Sequence, residues 1–194
     1  MGKLIVGADK NQFAGRHGLS NAEKHKQLQR LGVEVKPIPL PVGDYCLIND
    51  KLQSIIDRRG DKLKKIDLIG SLDMVVDTKK DLLEVCSNIC SGSHSRFRDE
   101  MILAQENDIK LYVLVEEPGI TDVRDVFKWT NPRYFYYRAQ VKKGAAPKAP
   151  PTNGQTLAKA MITCQHKYGV QWLFCGRNET GEKLIDILKW GLVK

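Results

Sequence analysis

No apolar run in the sequence approaches the roughly 20 residues needed to cross a bilayer, which argues against a membrane-spanning helix. There is also no Cys-x-x-Cys pair among the cysteines at positions 46, 86, 90, 164 and 175. Cys86 and Cys90 stand at i,i+4 on an expected helix, a spacing zinc ligands can use, but no second pair completes a site. Free buried thiols in a reducing compartment are the simpler reading. His17, His25, His94 and His166 are scattered, none at metal-ligand spacing from another, and no internal repeat is visible. The opening MGKLIVGADK reaches charged residues too soon for a signal peptide, so a cytoplasmic location is expected.

What is present is an ordinary globular composition with a basic balance. At 194 residues the chain suits one domain with a substantial core, and its 42% hydrophobic and 28% charged residues are unremarkable for that class. The net charge of +8 is more informative. A basic surface favours a polyanionic partner, because releasing condensed counterions drives binding to phosphate backbones.

Strand and helix patterns alternate along the chain. Residues 3–7 read as a short buried strand. From Ser20, a suitable N-cap, to Leu31 the pattern is helical, with Gly32 as the stop. Val33 to Ile38 alternates as a strand, Pro37, Pro39 and Pro41 then force extended backbone, and another strand follows from Asp44 to about Ile48. Residues 51–66 have helical spacing, and Leu72 to Val76 is an apolar strand ending at Asp77. Helices are expected over 80–90 and 96–106, with a pause at 91–93, and a strand over 110–115. Residues 139–154 read as an exposed loop, and helix 155–168, strand 170–175 and helix 179–190 close the chain. This alternation predicts an α/β fold with a mixed central sheet flanked by helices. The single domain would span 1–194, with a charged insertion near 50–70 and a flexible loop near 139–154.

Two acids and a lysine stand out. Gly43-Asp44-Tyr45 places a carboxylate where the proline-rich approach enters a strand, and Asp77-Thr78-Lys79 ends the next apolar strand. In D-x-K the aspartate and lysine project from the same side of an extended chain. Carboxylates suit Mg²⁺, a hard ion that keeps several waters, with Mn²⁺ able to substitute. A lysine can orient water and stabilise charge developing on a phosphate. D-x-K alone is common, as Asp108-Ile109-Lys110 illustrates.

The run GDY, then VVDTKKDLLEVCSNI, then SRFRDEMILAQENDIKLYVLVEE resembles the nuclease domain of XPF-type structure-specific endonucleases of the PD-(D/E)xK superfamily. The likeness is greatest to the small stand-alone bacterial and phage forms. It covers residues 40–117 well, and 3–38 and 155–190 more loosely. The resemblance implies a restriction-endonuclease-like fold and metal-dependent hydrolysis of DNA, with branched or flap substrates. It implies that Asp44, Asp77 and Lys79 form the catalytic centre. Asp44 and Asp77 would be metal ligands, joined by the Thr78 carbonyl and by Asp9. Glu84, Arg96 and Glu100 would stand beside the site, although Arg96 and Glu100 equally suit a surface i,i+4 ion pair. A homodimer through the nuclease domain is expected by analogy.

Three positions depart from that family pattern. Asp77-Thr78-Lys79 replaces glutamate-arginine-lysine, Gly7-Ala8-Asp9-Lys10 replaces a D-T-R-E-like strand end, and Glu84 falls one residue later than the usual acid. Two other readings therefore stay open: a catalytically weak DNA-binding module of a recombination or replication complex, and a phage protein using the fold to bind a host protein. Arg98 reads as a phosphate contact or a solvent-exposed residue. Arg58 and Arg59 on the charged segment are either DNA contacts or a solvated helix face. Lys142, Lys143 and Lys148 lie close to Arg133, Tyr134, Tyr136, Tyr137 and Arg138, a mixture that can grip and stack on nucleic acid, or whose tyrosines can pack a sheet edge.

Overall fold

The computed structural model describes residues 4–13, 15–91, 94–145 and 149–190, and of residues 15–20 the backbone alone. In chain order the first half comprises β1 (Ile5–Asp9), α1 (Gly15–Arg30), β2 (Glu34–Ile38), β3 (Tyr45–Leu47), α2 (Asp50–Arg59) and α3 (Lys65–Leu68). The second half comprises β4 (Met74–Lys79), α4 (Leu82–Ile89), α5 (Ser95–Glu106), β5 (Lys110–Val115), α6 (Val123–Val126), α7 (Arg133–Lys142), α8 (Gly154–Tyr168), β6 (Gln171–Phe174) and α9 (Thr180–Trp190). The strands pair in the order β2-β1-β3-β4-β5-β6. β3 runs antiparallel to both its neighbours, while β1–β2, β4–β5 and β5–β6 are parallel. The mixed sheet predicted from the sequence is present.

Side-chain alternation divides the apolar residues between two layers. On one face Val6, Tyr45, Val76, Tyr112 and Leu114 meet Leu28 of α1 and Leu184, Ile187 and Leu188 of α9. On the other, Cys46, Val75, Leu111 and Val113 meet Leu52 of α2, Leu82 and Val85 of α4, Phe97 of α5, and Leu157 and Met161 of α8. Burying one such leucine-sized side chain stabilises the fold by about 1.5–3 kcal/mol. Every strand of this centre is therefore covered on both sides, and the polar residues at strand ends become the exceptions that need explaining.

Several expectations are corrected. α1 begins at Gly15, so Ser20 is inside the helix rather than capping it, while Gly32, at φ 75°, does supply the stop. The helix expected over 51–66 is broken: Gly60, at φ 50°, ends α2, and a short 3-10 turn leads to α3. Leu52 and Leu68 of this charged segment are fully buried, which ties it to the core. The loop expected over 139–154 begins later, because α7 continues to Lys142. The tyrosines of α7 do not pack a sheet edge; the helix buries none of its residues. Parts of three expectations lie outside the described residues: the start of the 3–7 strand, Gly92-Ser93 within the pause, and Lys148 in the loop.

The excursion carrying α7 is held at its base. Asn131, buried, donates from Nδ2 to the Thr152 carbonyl at 2.9 Å and accepts the Arg133 amide on Oδ1 at 3.0 Å. Gly154 then enters α8 so closely that a Cβ there would stand 2.3 Å from the Val126 carbonyl oxygen and 2.5 Å from that of Trp129. Both are backbone atoms and cannot swing aside. Gly154→Ala is expected to cost about 1–3 kcal/mol by overpacking, read as a lower urea midpoint with an unchanged m-value.

Candidate active site

The site is assembled where β1, β4 and β5 reach their carboxyl ends and β3 begins. The prolines approaching β3 deliver the chain to Gly43, which takes φ 67°. A Cβ there would meet Val75 side-chain atoms at 3.1 and 3.2 Å in addition to the strained φ, so glycine is what lets this turn lie against β4. Asp44 follows, stitched into both neighbouring strands: its amide donates to the Val76 carbonyl at 2.9 Å and its carbonyl accepts the Asp9 amide at 2.8 Å. The Asp44 side chain is equally constrained. Its Oδ2 accepts from both the amide and the hydroxyl of Thr78, each at 2.8 Å, and its Oδ1 accepts from Gln12 Nε2 at 2.6 Å. Asn21 Nδ2 donates in turn to Gln12 Oε1, so α1 fixes the amide that holds the acid.

Asp77 and Lys79 share the opposite face of β4 from Thr78. Lys79 Nζ lies 2.6 Å from Asp77 Oδ2 and 4.9 Å from the centre of the Phe97 ring, and both charged residues are buried. Asp77 Oδ2 is thus buried with the Lys79 ammonium as its partner. A carboxylate has about four acceptor sites, so one ion pair leaves it able to bind a metal cation as well.

The electrostatics reflect this crowding. Burial first, then the neighbouring Asp77 charge, raise the Asp44 carboxyl to about 7, against the pull of Lys79 and the Thr78 hydrogen bonds. Burial alone would lower Lys79, but Asp77 and Asp44 outweigh it and hold the ammonium above the usual lysine value. Lys79 is therefore a cation at neutral pH. Glu100 is raised by burial and by Asp77.

Behind Thr78 lies a network that the sequence reading missed. Lys24 of α1, buried, donates to Thr78 Oγ1 at 3.2 Å and pairs with Glu116 Oε1 at 3.2 Å. Thr180 Oγ1 also donates to Glu116 Oε1, at 3.1 Å. The signal for Lys24 was its place four residues before Leu28, the core residue on the same side of α1. Gln12 and Asn21 carried no local pattern at all, and Glu116 was read only as the acid that ends the 110–115 strand.

An open cleft of about 850 Å³ gathers most of the residues named from the sequence. Asp9, Asp44, Asp77, Thr78 and Lys79 line its floor, and Glu84, Arg96 and Glu100 line its side. Asp9 already accepts backbone amides on both oxygens, from Asn11 at 2.9 Å and Leu40 at 3.1 Å. Glu84 Oε2 accepts the Lys80 amide at 3.0 Å. Arg96 Nε is 3.8 Å from Glu100 Oε1, so the pair forms and also borders the cleft. Arg98 turns to Asp99 at 3.3 Å, and Arg59 pairs with Asp67 at 2.5 Å. Arg98, Arg58, Arg59, Lys142 and Lys143 do not line the cleft, whereas Lys65 and Arg133 do. The thiols of Cys86 and Cys90 are free, and among the described residues no three His, Cys, Asp or Glu side chains converge on a metal position.

The ERCC4 domain family pattern matches residues 14–186. The chain belongs to the ERCC4 domain family. Two solved structures share the fold: XPF from Aeropyrum pernix, and XPF from Aeropyrum pernix in complex with DNA. They are 18% and 17% identical, each with a TM-score of 0.54, and each match covers 95% of this chain and 62% of the other. The chain thus spans under two thirds of those proteins. No curated protein matches it significantly. The XPF-type nuclease fold expected from the three motif runs is therefore present, and no helix among the described residues is long and apolar enough to cross a membrane.

Within this ERCC4 domain the pair Asp44 and Asp77 makes a checkable electrostatic signature. Because the folded Asp44 carboxyl titrates above its ordinary 3.8, its stabilising effect is complete below that value and is lost as pH rises through about 7. Asp77→Asn removes the repelling charge, so in metal-free protein the carbon-13 titration midpoint of the Asp44 carboxyl is expected to fall below about 7 while staying above 3.8. An unmoved midpoint would mean the two acids do not sense each other.

Proposed function

We propose that this chain is a metal-dependent endonuclease that hydrolyses DNA phosphodiester bonds, with Asp44, Asp77 and Lys79 as its catalytic residues. The observation that carries the proposal is the buried Asp77 carboxylate, paired with Lys79 and electrostatically coupled to Asp44 in an open cleft. Membership of the ERCC4 domain family supports it.

The donor set fits Mg²⁺ or Mn²⁺. One or two carboxylates, completed by waters and substrate phosphate, are the usual protein share of a magnesium site. Asp44 and Asp77 would hold the ion, with the Thr78 carbonyl as a further oxygen donor, while Asp9, both of whose oxygens accept backbone amides, lines the same cleft. A bound divalent ion supplies a more acidic water and neutralises charge on the phosphate. Lys79 is placed to orient the attacking water and to stabilise charge developing on the phosphate. Thr78, braced by Lys24, holds Asp44 in place. Arg96 and Glu100 border the path of the substrate, and Glu84 fixes the start of α4 through the Lys80 amide. Lys65 and Arg133 at the cleft are suited to backbone phosphates, as are Arg58, Arg59, Arg98, Lys142 and Lys143 farther out.

The matched XPF of known structure in complex with DNA supports DNA as the polymer, and flap or branched DNA is the substrate form we propose. Pairing of two copies through this domain and a cytoplasmic setting belong to the same reading. The altered acids favour one competing outcome, a domain that binds DNA and cuts it slowly or not at all.

Cleavage of labelled duplex, flap, splayed-arm and four-way-junction DNA in Mg²⁺ or Mn²⁺ tests this. Metal-dependent cutting is expected, abolished in Asp77→Ala and reduced by about 10²–10³ in Lys79→Met, the scale of losing one preorganised charge stabiliser. Folded protein that cuts no substrate with either metal would overturn the proposal.

A further inference from the structure

The most unusual surface of the molecule is α7. None of its residues is buried, yet it displays Tyr134, Phe135 and Tyr136 at 41%, 68% and 70% exposure. Tyr134 stacks on Tyr137 one turn away, with centroids 6.1 Å apart and planes 21° from parallel. Helical spacing puts Phe135, Arg138 and Lys142 on one exposed stripe, so a flat apolar ring alternates with two cations. Large exposed aromatics need an occupant, since solvent gives them nothing.

Charge decides which occupant. From Val126 to Asn178 the sequence contains no Asp or Glu, while Arg133, Arg138, Lys142 and Lys143 lie on α7 or just beyond it. Two copies meeting through α7 about a twofold axis would set like charges against each other, since α7 carries no carboxylate of its own. A polyanion has no such difficulty. The aromatic content narrows it further. Duplex DNA presents a phosphate rail with its bases already stacked, whereas unpaired bases offer free faces to aromatic rings. Position agrees with this: Arg133, the first residue of α7, lines the catalytic cleft. The Asn131–Thr152 tie closes the base of the excursion by joining its two ends.

We infer that α7 is a binding site for unpaired DNA bases at the rim of the cleft, with Phe135 and Tyr136 as stacking surfaces and Arg138 and Lys142 as phosphate contacts. The inference rests on the DNA reading above, but not on catalysis. It gives the domain its own grip on a single strand next to the site of cutting.

Binding is read by fluorescence anisotropy in EDTA, where no cleavage intrudes, with labelled oligothymidylate and a duplex of equal length. Because the side chains are exposed, the variants keep the fold. Phe135→Ala/Tyr136→Ala is expected to weaken oligothymidylate binding about tenfold or more, since each stack lost is worth ~1–3 kcal/mol, and to leave duplex binding within about twofold. Arg138→Ala/Lys142→Ala is expected to weaken both and to flatten the salt dependence by about 1–2 in the log–log slope. Unchanged oligothymidylate affinity in the aromatic variant overturns the site. So does a change in that variant's sedimentation mass with DNA binding intact, which would make the face a protein interface. Wild-type protein that binds duplex but not oligothymidylate sinks the α7 site alone; binding to neither sinks the DNA reading with it.

Discussion

The two hydrogen bonds from Thr78 to Asp44 are the constraint on which the rest of the site depends. Asp44 sits on a turn, and without Thr78 only Gln12 would hold its carboxylate. Thr78 belongs to β4, the strand buried on both faces at the centre of the sheet. By donating from amide and hydroxyl to one carboxylate oxygen, Thr78 transfers the rigidity of that strand to the acid. Strand alternation then places Asp77 and Lys79 on the other side of Thr78, so one short segment both braces the first acid and supplies the second. The crowding this creates is visible in the raised Asp44 carboxyl and the strongly held Lys79 proton. A buried, repelling pair of carboxylates is costly unless a compensating cation is near.

Much of this was legible in the sequence because it was local and periodic. Leu72 and the run Met74–Val76 pointed to a covered strand, found as Met74–Lys79, and D-x-K on its end set the shared side of Asp77 and Lys79. The cluster of prolines before Gly43-Asp44-Tyr45 announced an extended approach. Arg96 and Glu100 were placed together by their four-residue spacing, and Arg98 was turned away by the same arithmetic. The joint order of motifs carried the XPF-type fold even though the first-strand ending and the Asp-Thr-Lys motif depart from the family pattern.

What was not legible was whatever depends on tertiary approach. Lys24, Gln12 and Asn21 come from α1 and the turn before it, and their roles exist only because that segment crosses the end of β4. Glu116 is a buried acid whose partner lies far away along the chain. Ser20 failed as a helix cap because the helix had already started, a failure of boundary rather than of type. In the 139–154 stretch, composition suggested a loop, yet its first residues continue a helix that nothing covers. That helix is hard to predict because helical pattern reading looks for a buried stripe, and α7 has none. Its lack of a core face is itself the informative observation.

The central claim is that Asp44 and Asp77 form a divalent-cation site. The most direct measurement is a crystal structure of the wild-type protein soaked in Mn²⁺, with anomalous diffraction recorded near the manganese edge. The account predicts a manganese peak in contact with both the Asp44 and Asp77 carboxylates, with Lys79 beside it and the Thr78 bonds to Asp44 retained. No peak at these two acids, with Asp77 still paired only to Lys79, would contradict it.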